Sequence, residues 1–216
     1  MITRITPRLW IGDTAGMATF DERAPEWDTP ERIERARTGA RLILEAMEPA
    51  PDARVLEVGA GTGLLGLALA PHVGSVVLAD ESPGMLDVAE AKIAAAAAQG
   101  VHTLRHALTV DPLPDERFDL IVSLMALHHV PNTPAALAEM AALLVPGGRI
   151  ALVDLEAEDG SFHTDQADEV HHGFERDGLR AQAKAAGFRD VDFRPGFEVE
   201  RDGRRYALFL LTASLA

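Results

Sequence analysis

A glycine-rich segment follows a short apolar run in the first third of the chain. The run Val55-Leu56-Glu57-Val58 leads directly into glycines at positions 59, 61, 63 and 66. Glycine between a buried strand and a helix lets a ligand approach the backbone without interference from a Cβ atom. The helix that begins after such a turn presents free N–H groups to an anionic or polar group. The spacing therefore predicts a cofactor-binding turn at the carboxyl end of a strand.

These glycines support two interpretations. In the first, Gly61, Gly63 and Gly66 form the G-x-G-x-x-G pattern of dinucleotide-binding turns. Asp80 follows Gly61 by 19 residues, where a ribose-binding acid is expected. This interpretation predicts an NAD(P)-dependent oxidoreductase. In the second, the residues from Glu57 to Gly63 spell E-x-G-x-G-x-G.

An ordered set of further motifs favours the second interpretation. Through these motifs the chain resembles the class I S-adenosylmethionine-dependent methyltransferases, from about residue 20 to residue 212. The motifs are Ser82-Pro83-Gly84-Met85-Leu86, Arg117-Phe118-Asp119-Leu120-Ile121-Val122, Leu127-His128-His129-Val130 and Leu144-Val145-Pro146-Gly147-Gly148. The resemblance implies methyl transfer from S-adenosylmethionine, with S-adenosylhomocysteine as the product. A protein that binds this cofactor without catalysis is also compatible with the same motifs.

The resemblance implies a set of cofactor-binding positions. Glu57 is expected to organise the glycine loop and face the ammonium of the cofactor, and Asp80 to accept from the ribose hydroxyls. Met85 is expected to border the adenine, and the Ser123 carbonyl to lie near the amino-acid end. A carboxylate at position 57 would repel a pyrophosphate, whereas the ammonium and sulfonium charges of S-adenosylmethionine favour it. The full set is Glu57, Gly59, Gly61, Gly63, Asp80, Met85, Ala107 and Ser123.

The chain departs from the family pattern at the position that is expected to contact the adenine of the cofactor. Family members commonly carry an acid after the third strand, and the corresponding position here is Ala107. Neither Ala107 nor Leu108 supplies a carboxylate. We therefore expect backbone contacts at Ala107, or Asp111 reaching back, to hold the adenine amino group.

A general base is not assigned by the sequence. Histidine suits deprotonation of an acceptor at neutral pH, and five histidines follow strand ends or lie in a polar stretch: His128, His129, His163, His171 and His172. A structural role for the His128-His129 pair is favoured over a catalytic one. A metal site is a further alternative, because six potential ligands crowd into ten positions: His163, Asp165, Asp168, Glu169, His171 and His172. A solvated acidic loop is favoured there, so no metal is expected.

The net charge of the chain and the absence of one motif restrict the class of methyl acceptor that we expect. Twenty basic and 34 acidic residues give a formal net charge of −14, which repels nucleic acid and anionic membranes. The residues after the fourth predicted strand, Ser123-Leu124-Met125-Ala126, lack the (D/N)-P-P-(Y/F) tetrad of methylases that act on nucleobases or glutamine. A small-molecule acceptor is therefore expected, with aromatic residues that could line its pocket: Phe20, Trp27, Phe162 and Phe174. The oligomeric state is left undefined.

The elements that must position these residues alternate between strands and helices. Buried strands are predicted over 54–58, 75–80, 101–106, 118–124 and 149–155, with helices between them. Apolar runs over 191–199 and 206–212, separated by Asp202-Gly203, predict a C-terminal antiparallel hairpin. The expected fold is α/β: a Rossmann-like methyltransferase sheet of parallel strands closed by that hairpin, with helices on both faces.

Length and composition fit one domain. The 216 residues are expected to form a single methyltransferase domain, with residues 1–30 as an N-terminal lid, 31–216 as the core and 156–173 as a substrate-side insertion. Cysteine is absent, which excludes disulfides, a cysteine nucleophile and thiolate metal sites. No signal peptide or membrane span is recognised, so a cytoplasmic location is expected.

Overall fold

Seven strands form one sheet in the order β3-β2-β1-β4-β5-β7-β6. The computed structural model describes residues 20–163 and 171–215. Its strands are β1 Arg54–Val58, β2 Ser75–Asp80, β3 Val101–Arg105, β4 Phe118–Leu124, β5 Leu144–Leu155, β6 Phe188–Arg201 and β7 Arg204–Leu215. Its α-helices are α1 Phe20–Arg23, α2 Pro30–Met47, α3 Leu64–Leu69, α4 Pro83–Ala96, α5 Thr133–Leu143 and α6 Arg176–Ala185. Short 3₁₀ turns span Ala24–Glu26, Ala70–His72 and Leu127–His129.

The first five strands run parallel, and the C-terminal hairpin closes the sheet. The expected antiparallel hairpin is confirmed at one edge of the sheet, where β7 pairs antiparallel with both β5 and β6 and therefore lies between them. The apolar run of β7 explains this placement, because Leu208 to Leu211 is fully buried. β6 alternates charged and apolar residues and takes the edge. Asp202 and Gly203 both have positive φ, as a two-residue hairpin turn requires.

The sheet separates two hydrophobic cores, as the alternation of side chains along each strand requires. In β1, Leu56 and Val58 belong to the core that also contains residues of α5 and α6. Val55 belongs to the opposite core, together with residues of α2, α3 and α4. The expectation of helices on both faces is therefore confirmed.

Several element boundaries differ from those expected. The sequence predicts that the alanine-rich helix α4 ends at Gly100, but it ends at Ala96, because Ala97 adopts the left-handed conformation that terminates the helix. α5 is capped by the Asn132 side chain, which accepts from the backbone N–H of Ala135. β5 begins five residues earlier than the expected start at Arg149, because Leu144 already pairs with Phe118 before a register shift.

This topology brings the ends of β1, β2, β4 and β5 to one edge of the sheet. Parallel strands direct their carboxyl ends to the same side, and open α/β sheets bind ligands there. The glycine-rich turn follows β1, Asp80 ends β2, and the His128-His129 pair follows β4. Among the described residues, no helix is long and apolar enough to cross a membrane.

Candidate functional site

The glycine loop adopts conformations that other residues reach only with strain. Gly59 has φ +64°, and a Cβ atom there would overlap the Cβ of Ala126. Gly63 has φ +76° and forms the N-cap of α3, and a Cβ there would lie 2.6 Å from Leu78 Cδ1. The loop therefore requires glycine at both positions for its own fold.

Glu57 lies buried beneath the loop. Its Oε2 accepts a hydrogen bond of 2.7 Å from the backbone N–H of Gly66 in the first turn of α3, and only 3% of the residue is exposed. Burial raises the pKa of Glu57 to about 8, the Gly66 hydrogen bond opposes that rise, and the negative charge of Asp80 adds to it. Glu57 thus holds α3 against the end of β1, and its expected contact with the cofactor stays a prediction.

Asp80 links the end of β2 to the glycine loop. Its Oδ2 accepts from the Gly61 N–H at 2.7 Å, and its Oδ1 accepts from the Ser82 N–H at 2.9 Å. Burial raises the pKa of Asp80, while hydrogen bonds from Ser82 and Gly61 lower it. Asp80 therefore contacts the glycine loop, and Glu57 contacts the helix that begins directly after it.

Gly61 lies between two large side chains. A Cβ built on Gly61 would be 3.7 Å from Trp27 Nε1 and 3.9 Å from Met85 Sδ. Met85 is buried at the start of α4, where its N–H donates to the Ser82 hydroxyl at 3.2 Å. Two sequence-predicted residues, Gly61 and Met85, are thus neighbours, with the Trp27 indole beside them.

The described part of the N-terminal segment, residues 20–29, is tied to this loop. Asp28 accepts from the Thr62 hydroxyl and forms an ion pair of 2.7 Å with Lys92 on α4. Asp21 accepts from the Ser82 hydroxyl and from the Gly84 N–H at 2.8 Å. Asp21, Thr62 and Lys92 were not singled out in the sequence, because their pairing joins segments more than 30 residues apart.

Removal of the Asp28 carboxylate is expected to speed cofactor release. Asp28→Ala deletes one hydrogen bond and one partly exposed ion pair that hold the segment over Gly61, which corresponds to about a fivefold to tenfold higher dissociation rate of S-adenosylhomocysteine. Stopped-flow fluorescence measures that rate. Glu34→Ala, which removes an exposed acid of α2, is the control. An unchanged rate in Asp28→Ala would show that the segment does not retain the ligand.

The end of β3 supplies an acid where Ala107 has none. The Ala107 N–H donates to Asp111 Oδ2 at 2.7 Å, so that N–H already has a partner inside the loop. The Ala107 carbonyl accepts from the N–H groups of Val110 and Asp111. The nearby Glu139 of α5 binds His106 at 2.6 Å and the Thr109 N–H at 2.6 Å. Asp111 does reach back, and its contact with adenine stays a prediction.

Ser123 lies at the end of β4, beside β1. Its hydroxyl donates to the Val58 carbonyl at 3.0 Å, and the residue is buried. This bond joins β4 to the strand end from which the glycine loop departs. The role expected of the Ser123 carbonyl at the amino-acid end of the cofactor stays a prediction.

Three histidines converge where β4 and β5 end. His128 is buried, and its Nδ1 lies 2.6 Å from Oδ1 of Asp154. Its Nε2 lies 3.1 Å from Nε2 of His163, which follows β5. His129 completes the group, with its ring centroid 4.2 Å from that of His128 and 5.1 Å from that of His163. The sequence indicates Asp154 only as part of the strand predicted over 149–155.

The other predicted histidines have different neighbours. His171 Nε2 contacts the Val130 carbonyl at 3.1 Å and the Thr133 hydroxyl at 3.3 Å. A Cβ on Gly160 would lie 2.7 Å from Cε1 of His172. His163 is therefore grouped with the histidines after β4. The acidic part of the metal hypothesis lies outside the described residues: Asp165, Asp168 and Glu169.

The four aromatic residues expected at an acceptor pocket separate into two pairs. Phe20 contacts Trp27 edge-on, with centroids 5.7 Å apart, and packs on His129 at 5.6 Å. Phe162 and Phe174 are buried in the two hydrophobic cores. Core packing therefore accounts for the second pair, whereas the first pair lies beside the glycine loop and the histidines.

Comparisons with known proteins agree with this geometry. Residues 55–148 match the family model described as a methyltransferase domain. An uncharacterized methyltransferase of Mycobacterium tuberculosis (strain H37Rv) is 37% identical over 111 residues, which cover 51% of this chain and 55% of that protein. A ubiquinone/menaquinone biosynthesis C-methyltransferase of Geotalea daltonii is 30% identical over 142 residues, covering 62% and 60%. The chain thus spans little more than half the length of these relatives.

Solved structures share the fold. An S-adenosylmethionine-dependent methyltransferase from Aquifex aeolicus superposes with a TM-score of 0.67 at 20% identity, covering 91% of this chain and 98% of that chain. An N-methyltransferase of Bradyrhizobium japonicum, solved with S-adenosyl-L-homocysteine, gives 0.66 at 20% identity, covering 87% and 89%. At these identities the likeness concerns the fold alone.

Proposed function

We propose that this chain is a class I S-adenosylmethionine-dependent methyltransferase that transfers a methyl group from S-adenosylmethionine to a small-molecule acceptor, in line with its similarity to methyltransferases. One observation carries the proposal: Glu57 and Asp80, at adjacent strand ends, accept 2.7 Å hydrogen bonds from Gly66 in the first turn of α3 and from Gly61 in the glycine loop. This arrangement places two acids around a loop whose backbone a ligand can approach.

The proposed cofactor contacts follow from these positions. Asp80 accepts from the ribose hydroxyls with the lone pairs that its two backbone contacts leave available. Met85 and the Trp27 indole flank Gly61 and supply apolar surface to the adenosine. The Glu57 carboxylate attracts the cationic amino-acid end of the cofactor, with the Ser123 carbonyl nearby. Gly59, Gly61 and Gly63 let the cofactor approach the loop, and Ala107 or Asp111 meets the adenine.

Methyl transfer needs alignment more than acid–base chemistry. An acceptor lone pair forms a bond to the methyl carbon while the bond from that carbon to sulfur breaks, and S-adenosylhomocysteine leaves as a neutral thioether. The sulfonium donor is intrinsically reactive, so the protein supplies orientation and the exclusion of water. Residues 20–29, which Asp28 and Asp21 hold against the loop, are proposed to act as the lid that excludes it.

Charge supports a small-molecule acceptor. The net charge of −14 opposes binding to the phosphates of a nucleic acid. The proteins similar to this chain include both a C-methyltransferase and an N-methyltransferase. The proposal therefore fixes the donor and the size class of the acceptor, and leaves the methylated atom to experiment.

The dinucleotide alternative is opposed by two features. A Rossmann dinucleotide fold has the strand order 3-2-1-4-5-6, whereas here the antiparallel β7 lies between β5 and β6. Glu57 also places a buried carboxylate directly beneath the loop that would hold the pyrophosphate. The observed topology and charge therefore favour the methyl donor over NAD(P).

Asp80→Ala is expected to weaken S-adenosylmethionine binding at least tenfold. The variant loses charge-assisted hydrogen bonds to the ribose, which correspond to about 1.5 kcal/mol. Titration calorimetry measures the dissociation constant, and thermal unfolding checks that the loop has survived. Asp87→Ala, an exposed acid on the neighbouring helix α4, is the matched control.

The same titration tests the whole proposal. A wild-type protein stripped of ligand that ignores both S-adenosylmethionine and S-adenosylhomocysteine at millimolar concentration would refute it. Tight binding of the cofactor with no turnover on any acceptor of a broad panel would instead identify a non-catalytic binding protein. Tight binding of NAD(P)H, followed by its fluorescence, would support the oxidoreductase.

A further inference from the structure

The cluster formed by His128, His129 and His163 has a composition suited to metal binding. Each histidine offers one ring nitrogen, and these three atoms all lie within 4.8 Å of one another. The histidines follow β4 and β5, which are neighbours in the sheet: His128 and His129 lie in the 3₁₀ turn Leu127–His129, and His163 lies beyond the end of β5 at Leu155. Imidazole is the ligand that Zn²⁺, Co²⁺ and Ni²⁺ share, whereas Mg²⁺ and Ca²⁺ prefer oxygen.

Asp154 sets the orientation of His128. A carboxylate accepts hydrogen bonds, so in the imidazole form that binds metal ions the proton is carried by Nδ1, which lies 2.6 Å from it. The backbone N–H of Leu155 also donates to Asp154, at 2.7 Å, which fixes the carboxylate in turn. Nε2 of His128 is then left with its lone pair directed at His163. A carboxylate behind a ligating histidine is the usual support of a metal-bound imidazole.

The separation of the nitrogens is close to that of two ligands of one ion. Nitrogens at 2.0–2.1 Å from a tetrahedral ion are about 3.3 Å apart, and Nε2 of His128 lies 3.1 Å from Nε2 of His163. The longest separation in the cluster, up to 4.8 Å, has to shorten by roughly 1.5 Å. His129 lies at the end of a short 3₁₀ turn and is half-buried.

We propose that His128, His129 and His163 form a binding site for a divalent transition-metal ion of the Zn²⁺, Co²⁺ or Ni²⁺ type, supported by Asp154. Three histidine ligands leave a fourth coordination position open, as in catalytic sites of this kind. Phe20, on the segment that covers the glycine loop, packs on His129. The open position therefore lies beside the proposed lid, where an oxygen or nitrogen atom of an acceptor can reach it.

Only this last step, the meeting of the ion with an acceptor, rests on the proposed function. Binding of the ion itself is independent of methyl transfer, so the two are tested separately. Titration of the metal-free protein with S-adenosylmethionine tests the first proposal, and titration of ligand-free protein with CoCl₂ or ZnCl₂ tests the second. Failure of one titration leaves the other interpretable.

The experiment uses the full chain without a polyhistidine tag, after treatment with a chelator. We expect one Co²⁺ per chain, with the visible absorption bands of a four- or five-coordinate nitrogen site, and displacement of Co²⁺ by Zn²⁺. His163→Gln is expected to weaken binding at least 100-fold, His129→Gln at least 10-fold, and Asp154→Asn by 10- to 100-fold. His102→Gln, which alters an exposed histidine of β3, should leave binding unchanged.

Three results would overturn the proposal. The first is the absence of a Co²⁺ spectrum together with the absence of Zn²⁺ binding at micromolar concentration. The second is stoichiometric binding that survives both His163→Gln and His129→Gln while circular dichroism shows the variants folded. The third is an equal loss in His102→Gln, which would indicate scattered surface binding. In each case the cluster would be a set of hydrogen-bonded histidines.

Discussion

Gly66→Ala is expected to lower the free energy of unfolding by about 2–3 kcal/mol. Gly66 lies in α3 where that helix packs on β2, and a Cβ atom there would overlap the side chain of Leu78. The same Cβ would lie 2.6 Å from Glu57 Oε2 and 3.0 Å from Val76 Cγ1. Because these neighbours are buried, the helix must move away from the sheet, and the hydrogen bond between Glu57 and the Gly66 N–H is strained.

The chain supplies a matched control for this substitution. Gly178 also lies in a helix, α6, and a Cβ there meets nothing within 4 Å. Gly178→Ala is expected to raise stability by about 0.5–1 kcal/mol, because alanine loses less backbone entropy in a helix. Urea unfolding followed by circular dichroism gives both values. Equal effects of the two substitutions would mean that the contact between α3 and β2 is looser than the structure shows.

The two substitutions are expected to change the free energy of unfolding in opposite directions, and this difference distinguishes a packing requirement at Gly66 from an effect of helix propensity. If Gly66→Ala is strongly destabilising, then Gly66 serves the contact between helix and strand, which is the role of the third glycine in dinucleotide turns as well. The third glycine of the G-x-G-x-x-G pattern is therefore explained by close packing between helix and strand, which the dinucleotide-binding fold and the methyltransferase fold have in common. This explains why three glycines alone could not distinguish a methyl donor from a dinucleotide.

Most of the fold could be predicted from the sequence because buried strands and helices place apolar residues in runs or at a regular spacing. β1, β2 and β4 have the expected bounds, since each is a short apolar run ended by a polar or glycine-rich segment. The position of β7 inside the sheet was not predicted, because strand order depends on which edges pair in space. The uninterrupted apolar run from Leu208 to Leu211, which is buried in the structure, is the sequence feature that indicates a strand covered on both faces.

The cofactor loop was predicted more fully than the histidine cluster. Glu57, Asp80 and Met85 lie within 30 residues of one another, so their spacing carries information about a single turn. The cluster joins His163 to His128 across a sheet contact that sequence spacing does not encode. Its one visible sign was Asp154, an acid inside the apolar run of β5, since a buried carboxylate needs a partner.

Cofactor binding is expected to release a proton from Glu57. Burial raises the pKa of this carboxyl to about 8, so at pH 6.5 the ligand-free protein holds it almost wholly protonated. A cationic amino-acid end beside it favours the charged form, and the pKa falls when the cofactor binds. Affinity for S-adenosylmethionine should therefore rise with pH, by about eightfold between pH 6.5 and 7.5. Calorimetry in buffers of different ionisation enthalpy should detect close to one proton released at pH 6.5.

Glu57→Gln isolates this effect. The amide oxygen can still accept from the Gly66 N–H, but the side chain neither ionises nor attracts the cofactor. We expect weaker binding at pH 7.5, a smaller slope of affinity against pH and loss of the proton release. The same group also acts on folding: its pKa in the folded protein exceeds that in the unfolded chain, so its contribution to stability falls as pH rises from 4.5 towards 8. The variant should remove that fall. If the affinity of the wild-type protein for S-adenosylmethionine does not change between pH 6.5 and 7.5, the ammonium of the cofactor lies away from Glu57. The role of Glu57 would then be to hold α3 against the loop.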